Sequence, residues 1–332
     1  MTRFKYIFLI ISVLILYVSY LQFRSYKLQA YLLRDLNTTS FDDQTFNLIK
    51  EEKFDFPSVG VTVLPLKSMK AEYFFRDHQY EKSLEYLYES LDDNPYIGFT
   101  EHYLSLNYDR LNIKDSFYTN AKKAFYKVPN NPAHFGYYAK ALNQRNQTDS
   151  IIIEFQKVKK TGQQRIWTYF LGSLVNKKNY DSVLKLYAIE GKQKFSSPTE
   201  DLSVMIDFAL YSKENIEKSD SLFSKANKLA ESDDFENSFL LYKKAIEFYP
   251  TSYKYYQNLG IAYSKNNQFN LGIEQFKYVI ENLNPKNGEN EFYLALAYFN
   301  LGQDDLGCPY LKKSFDYGYK PSLQLYKQKC QG

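Results

Sequence analysis

The sequence predicts an all-α protein: an N-terminal transmembrane helix followed by an α-solenoid of helix pairs in two arrays. Three features carry that expectation. The run from Tyr6 to Phe23 holds 18 residues without a charge. Turn and cap residues recur 34 positions apart further along. The chain of 332 residues also exceeds the usual size of one compact core, which favours several domains or an elongated repeat.

The apolar run comes first. As a helix rising 1.5 Å per residue it spans roughly 27 Å, enough for a hydrocarbon core. Arg3 and Lys5 precede it, Arg24 and Lys27 follow it, and Tyr6, Tyr17 and Tyr20 stand where interfacial aromatics belong. A cleaved signal peptide needs small residues at the −1 and −3 positions. Ser19 is paired there with Tyr17 and Ser25 with Phe23, both poor, and no nearby cysteine offers a lipoprotein site. An uncleaved anchor is therefore expected over residues 6–23, after a short cytoplasmic end at 1–5. A linker with a short helix is expected over 24–63. Basic residues flank both sides, with Arg34 adding to the far side, so charge alone gives only a slight lean toward a cytoplasmic amino end.

The body of the chain repeats. A proline recurs at Pro95 (DNPYIGF) and Pro129 (KVPNNP), 34 apart, and Asp-Ser opens apolar blocks at Asp115, Asp149 and Asp181. Asp or Ser before such a block reads as a helix N-cap. Period and pattern together resemble the tetratricopeptide repeat, a helix–turn–helix unit. The clearest copy starts at Tyr253 (YKYYQNLGIAYSKNNQFNLGIEQFKYVIENLNP), and DFENSFLLYKKAIEFYP closes the unit before it. In that family's frame, units start near Leu64, Gly98, Pro132, Gln164, Ser219, Tyr253 and Gly288. The eighth position, where the two helices of a unit touch, reads Ala71, Ser105, Ala139, Leu171, Ala226, Gly260 and Ala295. The eleventh, a packing ridge, reads Phe74, Tyr108, Leu142, Leu174, Leu229, Tyr263 and Tyr298. Leu171 is the misfit, and a one-residue shift would put Gly172 at the close contact. The stretch 197–218 is helical in pattern but has no frame. The expected organisation is thus a divergent array over 64–196, an irregular connector over 197–218, a second array over 219–320, and a capping helix and tail over 321–332.

Both cysteines fall at the carboxyl end. Pro309 is expected to start one helix directly after Cys308, Gly318 to break it, and Pro321 to start the next, which runs to Cys330. The two thiols then meet at one end of a hairpin. A bond closing those 23 residues, counted inclusively, contributes roughly 3 kcal/mol in the chain-entropy model. The alternative is two thiols in a reducing compartment. A disulfide persists outside the cytosol. With the anchor, it places some 300 residues on the periplasmic or extracellular side of an inner membrane crossed once.

The composition and motifs exclude several functions. A net charge of +4, with Lys and Arg interleaved among Asp and Glu as in KLAESDDFE, leaves no basic stripe for nucleic acid. His78, His102 and His134 form no metal-binding pattern, and no GxSxG or phosphate-cradling glycine loop occurs. His134, near a helix start, is expected in a capping or surface role. No catalytic residue, cofactor or metal site is expected, and the chain is not read as an enzyme. The 33 Tyr and 26 Phe form either an aromatic binding surface or a bias of residue usage.

The resemblance implies a scaffold whose first helices line a groove for a protein or peptide. Positions two, five, nine and twelve of each unit would face it, here including Phe99, His102, Asp109, Lys140, Asn143, Asn227, Gln257, Phe292 and Phe299. Where some members clamp a peptide carboxylate with basic residues, this chain has Phe223, Asn227 and Gln257, so that specificity does not transfer. NPYIGF and AFYKVPNNPAHF also look like the helical tails of bacterial O-antigen ligase or polymerase-like proteins, over about 64–163. Three functions follow from these features. The first is a membrane-anchored scaffold for proteins that assemble or export envelope material. The second is an accessory subunit of a glycan-assembling enzyme, touching saccharide. The third is an adaptor facing the cytosol.

Overall fold

The computed structural model describes residues 2–38, 40–51, 55–60 and 62–330. Among them are eighteen α-helices and no strand beyond an isolated bridge between Val59 and Pro65. The chain divides into two compact units, 1–205 and 206–332, with the boundary inside one helix.

The first unit opens with α1 (Thr2–Thr38), a single helix of 37 residues, about 55 Å long. One stretch of it is apolar and long enough to cross a membrane, and residues 5–20 are exposed. The helix does not end at Phe23, so the expected linker is corrected in its first half. Ser25, Leu28, Gln29, Leu32 and Asp35 recur at spacings of three and four and are buried. That stripe packs with Ile49 of α2 (Asp43–Glu51) and with Leu66, Met69 and Tyr73 of α3 (Leu66–Arg76). The Tyr73 hydroxyl donates to the Asp35 carboxylate. The apolar stem and the first core therefore share one unbroken helix.

The helix pairs of this unit are α3 with α4 (Tyr80–Glu89), α5 (Phe99–Arg110) with α6 (Lys114–Lys127), α7 (Pro132–Gln144) with α8 (Thr148–Val158), and α9 (Gln164–Leu174) with α10 (Asp181–Lys194). α11 (Glu200–Tyr211) follows and carries the unit boundary. Bonds between neighbouring pairs reproduce the period directly. Ser68 Oγ and Thr100 Oγ1 lie 2.8 Å apart across 32 positions, Lys140 reaches Asp109 across 31, and Tyr180 donates to Asp149 across 31. An aromatic stack fills the later pairs: Phe155 lies 3.7 Å from Phe170 and 5.0 Å from Trp167, centroid to centroid.

The second unit holds α12 (Lys213–Glu231) with α13 (Phe235–Phe248), α14 (Tyr253–Lys265) with α15 (Phe269–Tyr278), α16 (Glu289–Asn300) with α17 (Asp304–Asp316), and α18 (Pro321–Lys329). One π-helical turn, Val279–Leu283, extends α15. α12 begins six residues before the expected start at Ser219, so part of the expected connector is helix of the second unit. Pro309 does not start α17 but sits inside it. Asp304 and Asp305, acidic in the first turn, open the helix against the free amide dipoles, and the proline removes one later N–H. Cys308 and Cys330 are disulfide-bonded, with Cα atoms 5.7 Å apart.

The Asp-Ser marks act differently from the cap expected of them. Asp115, Asp149 and Asp181 lie in the first turns of α6, α8 and α10, and the residues before those helices make no side-chain cap. Their contribution is charge on the helix dipole. The turns are closed instead by residues at positive φ: His78, Asn112, Asn146, Asn176, Asp233, Asn267 and Gly302, one in each pair. Asn and Gly tolerate that conformation better than other residues.

Candidate binding cleft

Successive first helices stand side by side, so residues on one face of each meet across a groove. Between α7 and α9 the floor is made by two glycines. A β-carbon at Gly136 would fall 2.9 Å from the Tyr169 ring, so its absence lets that ring lie flat on α7. Gly172 opens toward Met205 of α11. Tyr137, Lys140, Asn143 and Gln144 form one wall, Thr168, Tyr169 and Ser173 the other, around a cleft of 720 Å³. Leu171 is fully buried while Gly172 is exposed, so the one-residue shift is not needed.

The electrostatics of the cleft are simple. The Lys140 ammonium lies 2.5 Å from Asp109 Oδ2, and Gln144 Nε2 donates to Asp109 Oδ1 at 3.3 Å. Lys140 remains half exposed on the cleft side, whereas Asp109 is largely covered. Asn143 Nδ2 donates to the Ser173 carbonyl at 3.1 Å. That bond ties α7 to α9 along the cleft. Burial pushes the Tyr137 hydroxyl pKa up, so it stays a neutral donor.

Other expected groove residues lie elsewhere. Phe99 packs against the α1–α3 core, its ring tilted against Tyr103 at 4.8 Å. The His102 ring lies among His134 (5.2 Å), Tyr137 (5.1 Å) and Tyr103 (5.5 Å). Burial, and then the neighbouring His134, push its pKa down to about 3. His134 is itself buried, with no surface role. The cap of α7 is Asn131, whose Oδ1 accepts from Ala133 N at 2.9 Å and His134 N at 3.3 Å.

In the second unit Asn227 Oδ1 accepts from the Tyr242 hydroxyl at 2.6 Å, beside a hollow of 190 Å³ shared with Asn258 and Lys265. Gln257 Nε2 donates to Glu289 at 3.1 Å, tying α14 to α16. Phe292 meets Tyr319 at 5.2 Å. Phe299 covers Gly307, where a β-carbon would lie 2.5 Å from its ring, so it serves the contact inside its own pair. Phe223 packs on Tyr255 at 4.8 Å.

The tyrosines have a structural use. Their rings pack between helices and their hydroxyls reach carboxylates on neighbouring elements, as in Tyr126 to Glu154, Tyr249 to Asp207 and Tyr255 to Asp220. A second close-contact position had escaped the sequence frame. Ser83, Gly272 and Gly307 sit twelve positions after the eighth-position residues and press on their backbones: Ser83 Oγ donates to Ala71 O at 2.8 Å, and β-carbons at Gly272 and Gly307 would lie 2.9 and 3.1 Å from Gly260 O and Ala295 O. Ser238, Gly272 and Gly307, 34 and 35 apart, were the available signal, whereas after Ser83 the same position in the first unit holds Phe117 and Ile151.

Residues 241–274, from the end of α13 through α14 into α15, match the tetratricopeptide repeat family. The chain carries a tetratricopeptide repeat. Among solved structures, the tetratricopeptide domain of P58(IPK) is similar at 14% identity and TM-score 0.32, with 79% of this chain and 62% of that one covered. A tetratricopeptide repeat protein from Parabacteroides merdae is similar at 11% and 0.37, with 79% and 96% covered. The TPR2AB domain of yeast Sti1, in complex with pHSP90, is similar at 15% and 0.33, with 71% and 99% covered. A residue in the left-handed region closes the turn inside each of the seven helix pairs, in both units of this chain.

Proposed function

We propose that this protein is a membrane-anchored tetratricopeptide scaffold that binds an extended protein segment in the cleft between α7 and α9. The observation that carries the proposal is the half-exposed Tyr169 ring lying over Gly136, an apolar platform beside the Lys140 ammonium in that cleft. An extended peptide lays a side chain on that ring while its backbone follows the groove. The half-exposed Lys140 favours a carboxylate nearby, and Tyr169 supplies an apolar face. A protein segment is favoured over saccharide, because Tyr73, Tyr138, Tyr242, Tyr255 and Tyr263, among the tyrosines that suggested a sugar surface, are buried between helices.

The stem α1 is the anchor in this proposal, supported by its length and its fully exposed apolar run. The Cys308–Cys330 bond supports a repeat region on the oxidising side of an inner membrane, where envelope components are assembled or exported. A reporter active only outside the cytosol, fused after Gly332, tests the side. Activity is expected, and silence with full expression contradicts the placement.

A photoreactive residue at Thr168 of the full chain, in its native membrane, tests the cleft. The expected result is one discrete protein adduct, absent when the probe sits at Leu186, an exposed residue of α10. The same adducts from both positions, or none from Thr168, contradict the assignment.

A further inference from the structure

The unbroken stem fixes where the first repeat stands relative to the bilayer. α3 runs parallel to α1: Met69 is level with Gln29, both close to Gly60, and Tyr73 is level with Asp35. The amino end of α3 therefore points back toward the apolar segment. Gln29 lies six residues beyond Phe23, about 9 Å along the helix, and the polar layer of a bilayer is roughly 5–8 Å deep on each side. The loop before α3, on the membrane side of Gln29, stands at the outer margin of that layer.

Hydrogen bonds pin the described residues of this loop. Gly60 N donates to Leu64 O at 2.9 Å and Leu66 N to Ser58 O at 2.7 Å. The buried Lys70 of α3 pairs with Asp55. Asn94, in the turn between α4 and α5, donates to Val63 O at 2.8 Å and so brings Tyr96 to the same edge. Along this edge Phe56 is 55% exposed, Val63 55% and Tyr96 81%. Val63 also has φ of 58°, a left-handed conformation that a β-branched residue adopts only against a steric penalty. An apolar side chain strained into the open gains nothing from the fold around it.

We propose that Phe56, Val63 and Tyr96 seat in the headgroup layer of the membrane that α1 spans, so that the first repeat is clamped to the bilayer and not merely tethered to it. Aromatic and aliphatic side chains at this depth bury apolar surface while their backbone stays hydrated. The clamp fixes the orientation of the array, because the turns at the opposite end of α5, near Ile113, then face away from the lipid.

The proposal rests on α1 being the anchor, and the test separates the two. The full chain, disulfide closed, is reconstituted in phosphatidylcholine–phosphatidylglycerol vesicles with one environment-sensitive fluorophore on an introduced cysteine at 14, 56, 63, 96 or 113. Nitroxides are placed on lipid headgroups or at mid-chain. Quenching by headgroup nitroxide at 56, 63 and 96 is expected to exceed that at 113 by about threefold or more. Mid-chain nitroxide is expected to quench the label at Leu14. Equal quenching at 56, 63, 96 and 113, with Leu14 quenched, overturns the clamp and leaves the anchor. Blue-shifted emission at 56, 63 and 96 without lipid quenching means that protein covers the edge, and also overturns it. An unquenched label at Leu14 overturns both.

Discussion

Removing the disulfide should unfasten one helix and leave the rest of the second unit intact. α18 has nine residues and only Ser322 of them is buried, so little apolar surface holds it in place. Ser322 meets Ser314, whose Oγ donates to Gly288 O at 2.6 Å, and Tyr319 rests on Phe292. A helix this short is marginal by itself. The Cys308–Cys330 bond, 22 positions apart, closes the hairpin. Loop-closure entropy for that length is about 3 kcal/mol, near a hundredfold in an opening equilibrium. A Cys308→Ser/Cys330→Ser chain in lipid nanodiscs should therefore exchange its α18 amides up to about a hundred times faster. Amides of α12 and α13 should keep their protection, because each repeat couples mainly to its neighbours. Unchanged exchange in α18 would show that packing alone holds the cap. Equal loss in α12 and α13 would refute the neighbour-coupled array.

Four further outcomes follow from the geometry. Gly272→Ala should destabilise the second unit by about 1–3 kcal/mol in urea unfolding, since the new β-carbon meets the Gly260 carbonyl at 2.9 Å and backbone cannot swing aside. Gly172→Ala, whose β-carbon meets only the flexible Met205 Sδ at 3.4 Å, should be neutral or stabilising by up to about 1 kcal/mol. Val63→Asn should stabilise the first unit by about 1 kcal/mol by easing the left-handed backbone, measured the same way, while reducing the lipid contact of that edge. His102 is held neutral in the fold with its pKa down to about 3. Its unfolded form takes up a proton below about 6.5, so the first unit loses at most about 1.4 kcal/mol per pH unit as pH falls through that window. His102→Gln should flatten this slope relative to the parent, and an unchanged slope would show that the ring is not the group titrating.

Much of the architecture is visible in the chain because period and side-chain size are local properties. Ala71, Ser105, Ala139, Ala226, Gly260 and Ala295 are all buried, as a close helix contact requires. Asn112, Asn146 and Asn267 marked the turns as clearly, yet positive φ leaves no pattern of hydrophobicity and they were passed over. The extension of α1 was hidden by chemistry: Gln29 and Asp35 look like linker residues until Met69 and Tyr73 come beside them. Pro309 misled because proline usually starts a helix, whereas Asp304 and Asp305 had already done so. The groove was the least legible part. Lys140 and Asn143 line the cleft, and Gly136 and Gly172 stand in the same groove register at positions five and nine, but a glycine has no side chain to single out, and Tyr169 lies outside that register. Phe99, His102 and Phe299 share the groove register and yet turn into neighbouring helices, because a bulky ring goes where a glycine or another ring makes room.

The central claim is that the α7–α9 cleft takes a protein segment while α1 holds the chain in the membrane. Its most direct test is the yield of the Thr168 photo-adduct in the full chain bearing Gly172→Trp, which fills the cleft from an exposed floor position. Hydrogen exchange should show the repeats folded and the adduct should vanish. An adduct retained at the parent yield, with the repeats intact, would contradict the account.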